Sequence, residues 1–241
     1  MANPFFVPGE QRAAKVHDLF AAIAPRYDLI NDLQSLGLHR WWKRRVVQLA
    51  EAGATTEVLD LCCGTGDLAL AFARRGARVT GLDFSEPMLA VARQRSGRAH
   101  VSSPERSVRW MRGDALQLPF PDASFDVVTI AYGLLNLASY ERGIAEMGRV
   151  LRPGGRALVL DFGKPDWAPW RAVYFTYLRL VVPIFGLLFC GNAAAYRYIL
   201  ESLQHYPAQR GVDLMFRQAG FGRTQIHPFL GGMMSINLGA K

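Results

Sequence analysis

The ten residues Val58-Leu59-Asp60-Leu61-Cys62-Cys63-Gly64-Thr65-Gly66-Asp67 constrain this chain more than any other stretch. A short apolar run closes on an acid, turns through two glycines and leads into a second apolar stretch, Leu68 to Ala73. The first part has the length and composition of a buried strand, and the second reads as a helix starting directly behind the turn. Such a turn aims the helix N-terminus and its free N–H groups at whatever binds there. Gly64 and Gly66 carry no Cβ and tolerate positive φ, so backbone can approach a ligand closely at both positions. A second strand, Arg78 to Leu82, ends on Asp83, and an acid so placed accepts hydrogen bonds from both hydroxyls of a ribose.

Glycine spacing leaves two cofactor chemistries open, because Gly64, Gly66 and Ala69 also satisfy the dinucleotide pattern G-x-G-x-x-G/A. Asp60 separates them. It stands inside the turn where a pyrophosphate would lie, and a buried carboxylate repels a diphosphate while suiting an ammonium or sulfonium group. S-adenosylmethionine has a ribose, no phosphate, and cationic sulfur and amine groups, so Asp60 favours it over a nicotinamide dinucleotide. A tight strand-to-helix turn without a ligand is the third reading these residues allow.

The same pattern recurs downstream. Arg109 to Met111 runs as a strand toward Asp114, Phe125 to Ala131 is a nearly continuous apolar strand, and Ser139 is placed to cap a helix whose Ile144, Met147, Val150 and Leu151 share one face. Arg152-Pro153-Gly154-Gly155 breaks that helix before the next strand, Ala157 to Leu160. Alternating strands and helices predict an α/β fold with an open, doubly wound, mostly parallel sheet. Asp60, Asp83, Asp114 and Tyr132 then fall at carboxyl ends of strands and converge on one crevice.

Over nearly its whole length the sequence resembles the class I methyltransferases and, among them, the quinone-biosynthesis C-methyltransferases of the demethylmenaquinone and 2-phytyl-1,4-naphthoquinone type. The resemblance rests on Tyr27-Asp28-Leu29-Ile30-Asn31-Asp32, Ser35-Leu36-Gly37, His39-Arg40 with Trp42-Lys43, Gly64-Thr65-Gly66-Asp67, Asp114-Ala115, Leu118-Pro119-Phe120, Tyr196-Arg197-Tyr198 and Glu201-Ser202. Cys62-Cys63, Gly81 to Ser85, Asp161-Phe162 and Gly231 to Leu238 look most like the cyanobacterial and plant branch. The resemblance implies a Rossmann-like sheet of seven strands with helical cap elements, and S-adenosylmethionine as cofactor. It further implies that Thr65, Asp83, Asp114 and Ala115 hold the methyl donor, Asp83 at the ribose and Asp114-Ala115 at the adenine. Asp60, Gly64, Gly66 and Ala131 complete the expected donor site, and Phe84 either stacks on the adenine or plugs the core. Asp67 suits the first turn of its helix whether or not it binds anything.

The acceptor implied by the same resemblance is a prenylated naphthoquinol, demethylmenaquinone or demethylphylloquinone, methylated at a ring carbon. Such a transfer needs the carbon, methyl and sulfur aligned and the phenol helped to lose its proton, whose ordinary pKa is near 10. Tyr27 and Asn136, which lie inside family motifs, are the candidate catalytic residues. The chain also departs from its family here. Where the motif after the fourth strand carries an arginine thought to help activate the phenol, Tyr132-Gly133-Leu134-Leu135-Asn136 has Leu135. His205 and His227 are further polar candidates. Another small hydrophobic phenol as acceptor, a donor-binding scaffold without catalysis, and a dehydrogenase are the competing functions.

At 241 residues, half of them apolar, the chain reads as a single domain. It divides into an N-terminal helical lid (10–50), a cofactor-binding core (57–163), a helical substrate cap (164–210) and a final helix with strands (211–241). Three cysteines, two of them adjacent, supply neither a disulfide framework nor a spaced metal quartet, so no metal is expected and a reducing cytoplasm is. Cys62 and Cys63 read as packing beside the turn. No signal peptide is visible at the start, and the apolar run Leu180 to Cys190, interrupted by Pro183, is too short to span a bilayer. The aromatic residues before it suit either a core helix or a greasy cap for a prenyl tail. The formal charge of +8 and the basic, tryptophan-bearing stretch His39 to Arg45 suit the inner face of an anionic membrane. The partners expected are the quinol, that membrane surface and a second copy in a homodimer, with no nucleic acid.

Overall fold

A computed structural model describes residues 24, 27–98, 108–180 and 200–241. Seven strands form one sheet in the order β3-β2-β1-β4-β5-β7-β6. They are β1 (Glu57–Leu61), β2 (Arg78–Asp83), β3 (Arg109–Arg112), β4 (Phe125–Ala131), β5 (Leu151–Phe162), β6 (Arg223–Phe229) and β7 (Met234–Ala240). β1 to β5 pair in parallel, and β7 inserts antiparallel between β5 and β6. The chain builds outward from β1 on one side and then returns to its other side, so strand order reverses between β1 and β4. Ligands of open α/β sheets bind at that reversal, beyond the carboxyl ends of the strands.

β1 lies inside the sheet, between β2 and β4, because it is apolar on both faces. Leu59 and Leu61 join Leu82, Val128 and Ile130 in one core layer, while Val58 joins Val79, Val127 and Leu158 in the other. The first layer is closed by α5 (Tyr140–Val150), α6 (Ala168–Leu180) and α7 (Ala208–Gln218); the second by α2 (Leu38–Ala50) and α3 (Asp67–Arg74). Each fully buried leucine or valine on these strands stabilises the fold by about 1.5–3 kcal/mol. α5 starts where its sequence places it, with the Ser139 hydroxyl accepting from the Arg142 N–H.

Two boundaries differ from the sequence reading. β5 begins at Leu151 rather than Ala157, because the ladder jumps from Phe125–Leu151 to Val127–Arg156 and Arg152 to Gly155 are extruded as a bulge instead of ending the strand. The final helix begins at Ala208, ahead of residue 211. Of the expected lid and cap, residues 10–23, 25–26 and 181–199 lie outside the described residues, and with them Tyr196-Arg197-Tyr198 and most of the run Leu180 to Cys190. Among the described residues no helix is long and apolar enough to cross a membrane.

The described part of the lid is a helical hairpin, α1 (Tyr27–Ser35) and α2. Asp32 clamps it, accepting from the Arg40 guanidinium at 2.6 and 2.5 Å and meeting the buried His39 at 2.8 Å. The stretch His39 to Arg45 is therefore not one basic surface. Helical periodicity turns His39 and Trp42 inward and leaves Arg40, Trp41 and Arg44 outside. Lys43 also turns inward, its side chain only 12% exposed.

Candidate functional site

At the strand-order reversal lies a cleft of about 450 Å³. The tips of β1, β2 and β4 and the turn after β3 wall it, contributing Gly64, Asp83, Phe84, Asp114, Ala115, Ala131, Tyr132 and Asn136, and α1 adds Tyr27. A smaller recess adjoins it beside α1 and α2. Tyr27, Cys62, Gly64, Ala131 and Tyr132 are shared by both, while Lys43, Asp60, Thr65 and Asp67 face the recess only. All the expected donor-site residues except Gly66 thus line one or both of two adjoining compartments rather than one crevice.

The turn does what its glycines predict, though each glycine serves differently. Gly64 has φ +54°, and a Cβ built there would meet nothing within 4 Å, so a ligand can lie directly on this backbone. Gly66 (φ +86°) walls neither compartment. A Cβ on it would stand 2.5 Å from the Trp110 ring, and one on Gly81 would stand 2.6 Å from the same ring. Gly66 is therefore there to let the helix begin and Trp110 pack beneath it, a correction to its expected contact with the donor.

The acids hold this geometry. Asp83 accepts the Gly64 N–H and the Ser85 N–H, each at 2.8 Å, and so fixes the β1 and β2 loops against each other. Asp60, buried at 2% exposure, accepts the Ala69 N–H at 3.1 Å and the Thr129 hydroxyl at 2.7 Å. It caps α3 from below, in place of a side chain at Gly66. Burial pushes its carboxyl up to about 7, against the opposing pull of Thr129, Lys43 and Ala69. A carboxylate held this close to neutrality has room for a cation.

Around the recess runs a charged network the sequence did not announce. Thr65 donates to Asp28 at 2.7 Å, Arg95 of α4 (Glu86–Arg98) reaches Asp28 at 2.8 Å and Asp67 at 2.5 Å, and Lys43 reaches Asp67 at 2.7 Å. Burial opposes ionisation of Asp67, but Lys43 and Arg95 hold it well below the usual carboxylate range. The network ties α1 and α2 to the cofactor turn. Thr65 is thus committed to the lid through its hydroxyl.

Over the cleft, Tyr132 has φ +58°, a left-handed conformation that costs a non-glycine residue about 1–3 kcal/mol and is retained where surroundings impose it. Its hydroxyl is buried and unpaired among the described residues. Burial raises the pKa of both Tyr27 and Tyr132 well above the ordinary range, so both stay neutral phenols. Asn136 donates to the Tyr132 carbonyl at 3.0 Å and presents its side chain to the cleft. Phe84 is 47% exposed, with the Arg112 guanidinium 5.8 Å from its ring centre, so it lines the cleft and does not plug the core.

Four sequence readings change. Leu135, expected across the crevice, is 2% exposed in the core and faces neither compartment. The short 3-10 turn Leu134–Asn136 sends Leu134 and Leu135 inward and Asn136 outward, and the Leu135 N–H is held by buried Asp161 at 3.0 Å. His205 bonds to the Glu201 carbonyl, His227 lies on β6, and neither lines the site. Cys62 is not mere packing, since it lines both compartments; its thiol, like that of Cys63, is raised by burial. Among the described residues no group of His, Cys, Asp or Glu could hold a metal ion.

The cleft fits S-adenosylmethionine on its own terms: open backbone at Gly64, acids at the strand tips and a near-neutral buried carboxylate in the recess. Comparison with known proteins agrees. The sequence model of the ubiE/COQ5 methyltransferase family matches residues 8–241. A demethylmenaquinone methyltransferase of Thermus thermophilus is 45% identical over 226 residues, spanning 92% of this chain and 100% of that protein. The ubiquinone/menaquinone biosynthesis C-methyltransferase UbiE of Azotobacter vinelandii is 42% identical over 238 residues, spanning 98% and 93%. In fold the chain is similar to a SAM-dependent methyltransferase from Aquifex aeolicus (TM-score 0.58, 15% identity, 82% and 88% coverage). It is likewise similar to the magnesium protoporphyrin IX methyltransferase of Synechocystis, solved with bound S-adenosylhomocysteine (TM-score 0.59, 20% identity, 84% and 83% coverage).

Proposed function

Because this chain belongs to the ubiE/COQ5 methyltransferase family and is an S-adenosylmethionine-dependent C-methyltransferase, we propose that its acceptor is a prenylated naphthoquinol, demethylmenaquinone or demethylphylloquinone, methylated at a ring carbon. The observation that carries this reading is the cleft wall, where Tyr27, Tyr132 and Asn136 stand among mostly apolar lining. The relatives named for demethylmenaquinone support it, at up to 45% identity over nearly the full chain.

The donor supplies an electrophilic methyl group on a sulfonium. Asp83 is placed for the ribose, Asp114 and Ala115 for the adenine edge, Phe84 for the ring face, Ala131 and Gly64 for close backbone contact, and Asp60 for the cationic end. Tyr27 and Asn136 orient the acceptor hydroxyl, and because buried Tyr27 stays protonated, the proton leaves through water rather than to this residue. Holding carbon and methyl in line supplies several kcal/mol of the barrier, about 7 or more in well-aligned cases. Residues 10–50 and 164–210 are the proposed lid and cap, within a single domain.

The tail and the quinol's location call for contact with an anionic membrane. Exposed Leu29, Leu33, Leu36, Leu38 and Trp41 on the α1–α2 hairpin, flanked by Arg40 and Arg44, support such contact, at the inner face of the cell membrane. A homodimer is part of the same proposal. The test is to supply labelled donor with a panel of reduced quinols. Label on the ring carbon of demethylmenaquinol or demethylphylloquinol is expected; label only on an unprenylated phenol would replace the acceptor, and donor binding without any transfer would reduce the chain to a scaffold.

A further inference from the structure

Lys43 is the one cation facing the recess among the described residues, and the mechanism above does not use it. It reaches in from α2, not from the cofactor turn. Its ammonium bonds Asp67 at 2.7 Å and stands 5.8 Å from the centre of the Tyr132 ring, with its side chain 12% exposed. Arg95 meets the same carboxylate at 2.5 Å but is shared with Asp28 at 2.8 Å, so two cations serve two acids here. An ammonium has three donors, and Asp67 takes one hydrogen bond from it. The ion pair with Asp67 offsets the cost of burying this lysine and leaves its other two donors facing the recess. A carboxylate arriving in the recess would meet those donors.

The recess offers what a zwitterion needs. Asp60 lies on one side, buried and receptive to an ammonium, and Lys43 lies on another. An adenosine-bearing ligand in the adjoining cleft would carry its amino-acid end into this space, through the shared wall of Gly64, Ala131 and Tyr132. We propose that Lys43 is the anchor for the donor's carboxylate, so that the lid helix α2 reads the amino-acid end of the donor while the sheet reads its nucleoside. The proposal rests on the assignment of the donor site and deepens it. It does not depend on the acceptor.

The test compares S-adenosylhomocysteine with 5′-methylthioadenosine, which has the same nucleoside and thioether but no amino-acid end. Binding of both is measured by calorimetry to the full chain and to Lys43→Met and Lys43→Arg. Loss of a charge-assisted hydrogen bond weakens binding about 10- to 100-fold, so Lys43→Met should lose that factor for S-adenosylhomocysteine and change less than about twofold for methylthioadenosine, by the arithmetic of affinity. Lys43→Arg, which keeps the charge, should recover most of the difference. Equal weakening for both ligands would mean that Lys43 merely fastens α2 to α3, and no weakening for either would mean that it carries no ligand contact; either overturns the proposal. A native chain that binds neither ligand would overturn the donor site itself, which is a different result.

Discussion

Asp60 concentrates the chemistry of the site in one side chain. Its carboxyl sits at about 7, raised from an ordinary 3.8 chiefly by burial. In the unfolded chain the group is ionised well below that pH, so the folded state binds the extra proton, and this contribution to stability is full below about pH 4 and lost as pH rises through 7. A cationic ligand reverses the balance by favouring the carboxylate. Binding of S-adenosylhomocysteine should therefore release about half a proton at pH 7 and strengthen about tenfold between pH 6 and 8, as linkage requires. Calorimetry in buffers of different ionisation enthalpy reads both, and pH-independent binding would show that no cation meets Asp60. Leu135 makes the opposite case. Buried in the core and outside both compartments, it should when replaced by Ala cost about 2–5 kcal/mol in urea unfolding and leave donor affinity unchanged.

These two residues also mark what a sequence discloses. Asp60 stands out in the sequence as a carboxylate inside a glycine turn, but its bonds to Ala69 and Thr129, nine and 69 residues away, do not. Leu135 was misplaced because motif position says nothing about direction, and a 3-10 turn reverses which of three adjacent side chains faces the ligand.

Elements were legible where one periodicity ruled. β1, β2 and β4 follow from their apolar runs, and α5 follows from Ser139 and the stripe Ile144, Met147 and Val150. The extension of β5 was not, because a Pro-Gly-Gly stretch reads the same whether it ends a strand or bulges from one. The attachment of α1 was invisible for a different reason: Asp28 and Arg95 are 67 residues apart, and nothing local pairs them. That attachment yields an element-scale expectation. Arg95→Met removes the guanidinium shared by Asp28, Thr65 and Asp67, so α1 should exchange its amide hydrogens faster by a large factor while β1 and β4 keep their protection. Exchange measured by mass spectrometry would show it, and uniform acceleration across the sheet would instead mean global destabilisation.

At the scale of the molecule, charge and exposed apolar surface act together. A surplus of eight positive charges with an exposed leucine and tryptophan hairpin predicts binding to anionic vesicles that weakens with salt, and weakens further in Trp41→Ser. Co-sedimentation with vesicles of anionic and of neutral lipid tests this. Equal binding to both would leave the charge without a role.

The ring of Trp110 beneath the cofactor turn has a historical consequence. It fills the volume that Cβ atoms on Gly66 and Gly81 would claim, so the three positions are locked into an order of change. An alanine at 81 should be ruinous beside Trp110 and mild once that residue is Val or Leu, while the smaller residue alone leaves a void. Neither step is easy first. A chain bearing this trio should resist change at one position at a time, and a double-mutant cycle over Trp110 and Gly81 would measure that resistance as a coupling of about 1–3 kcal/mol.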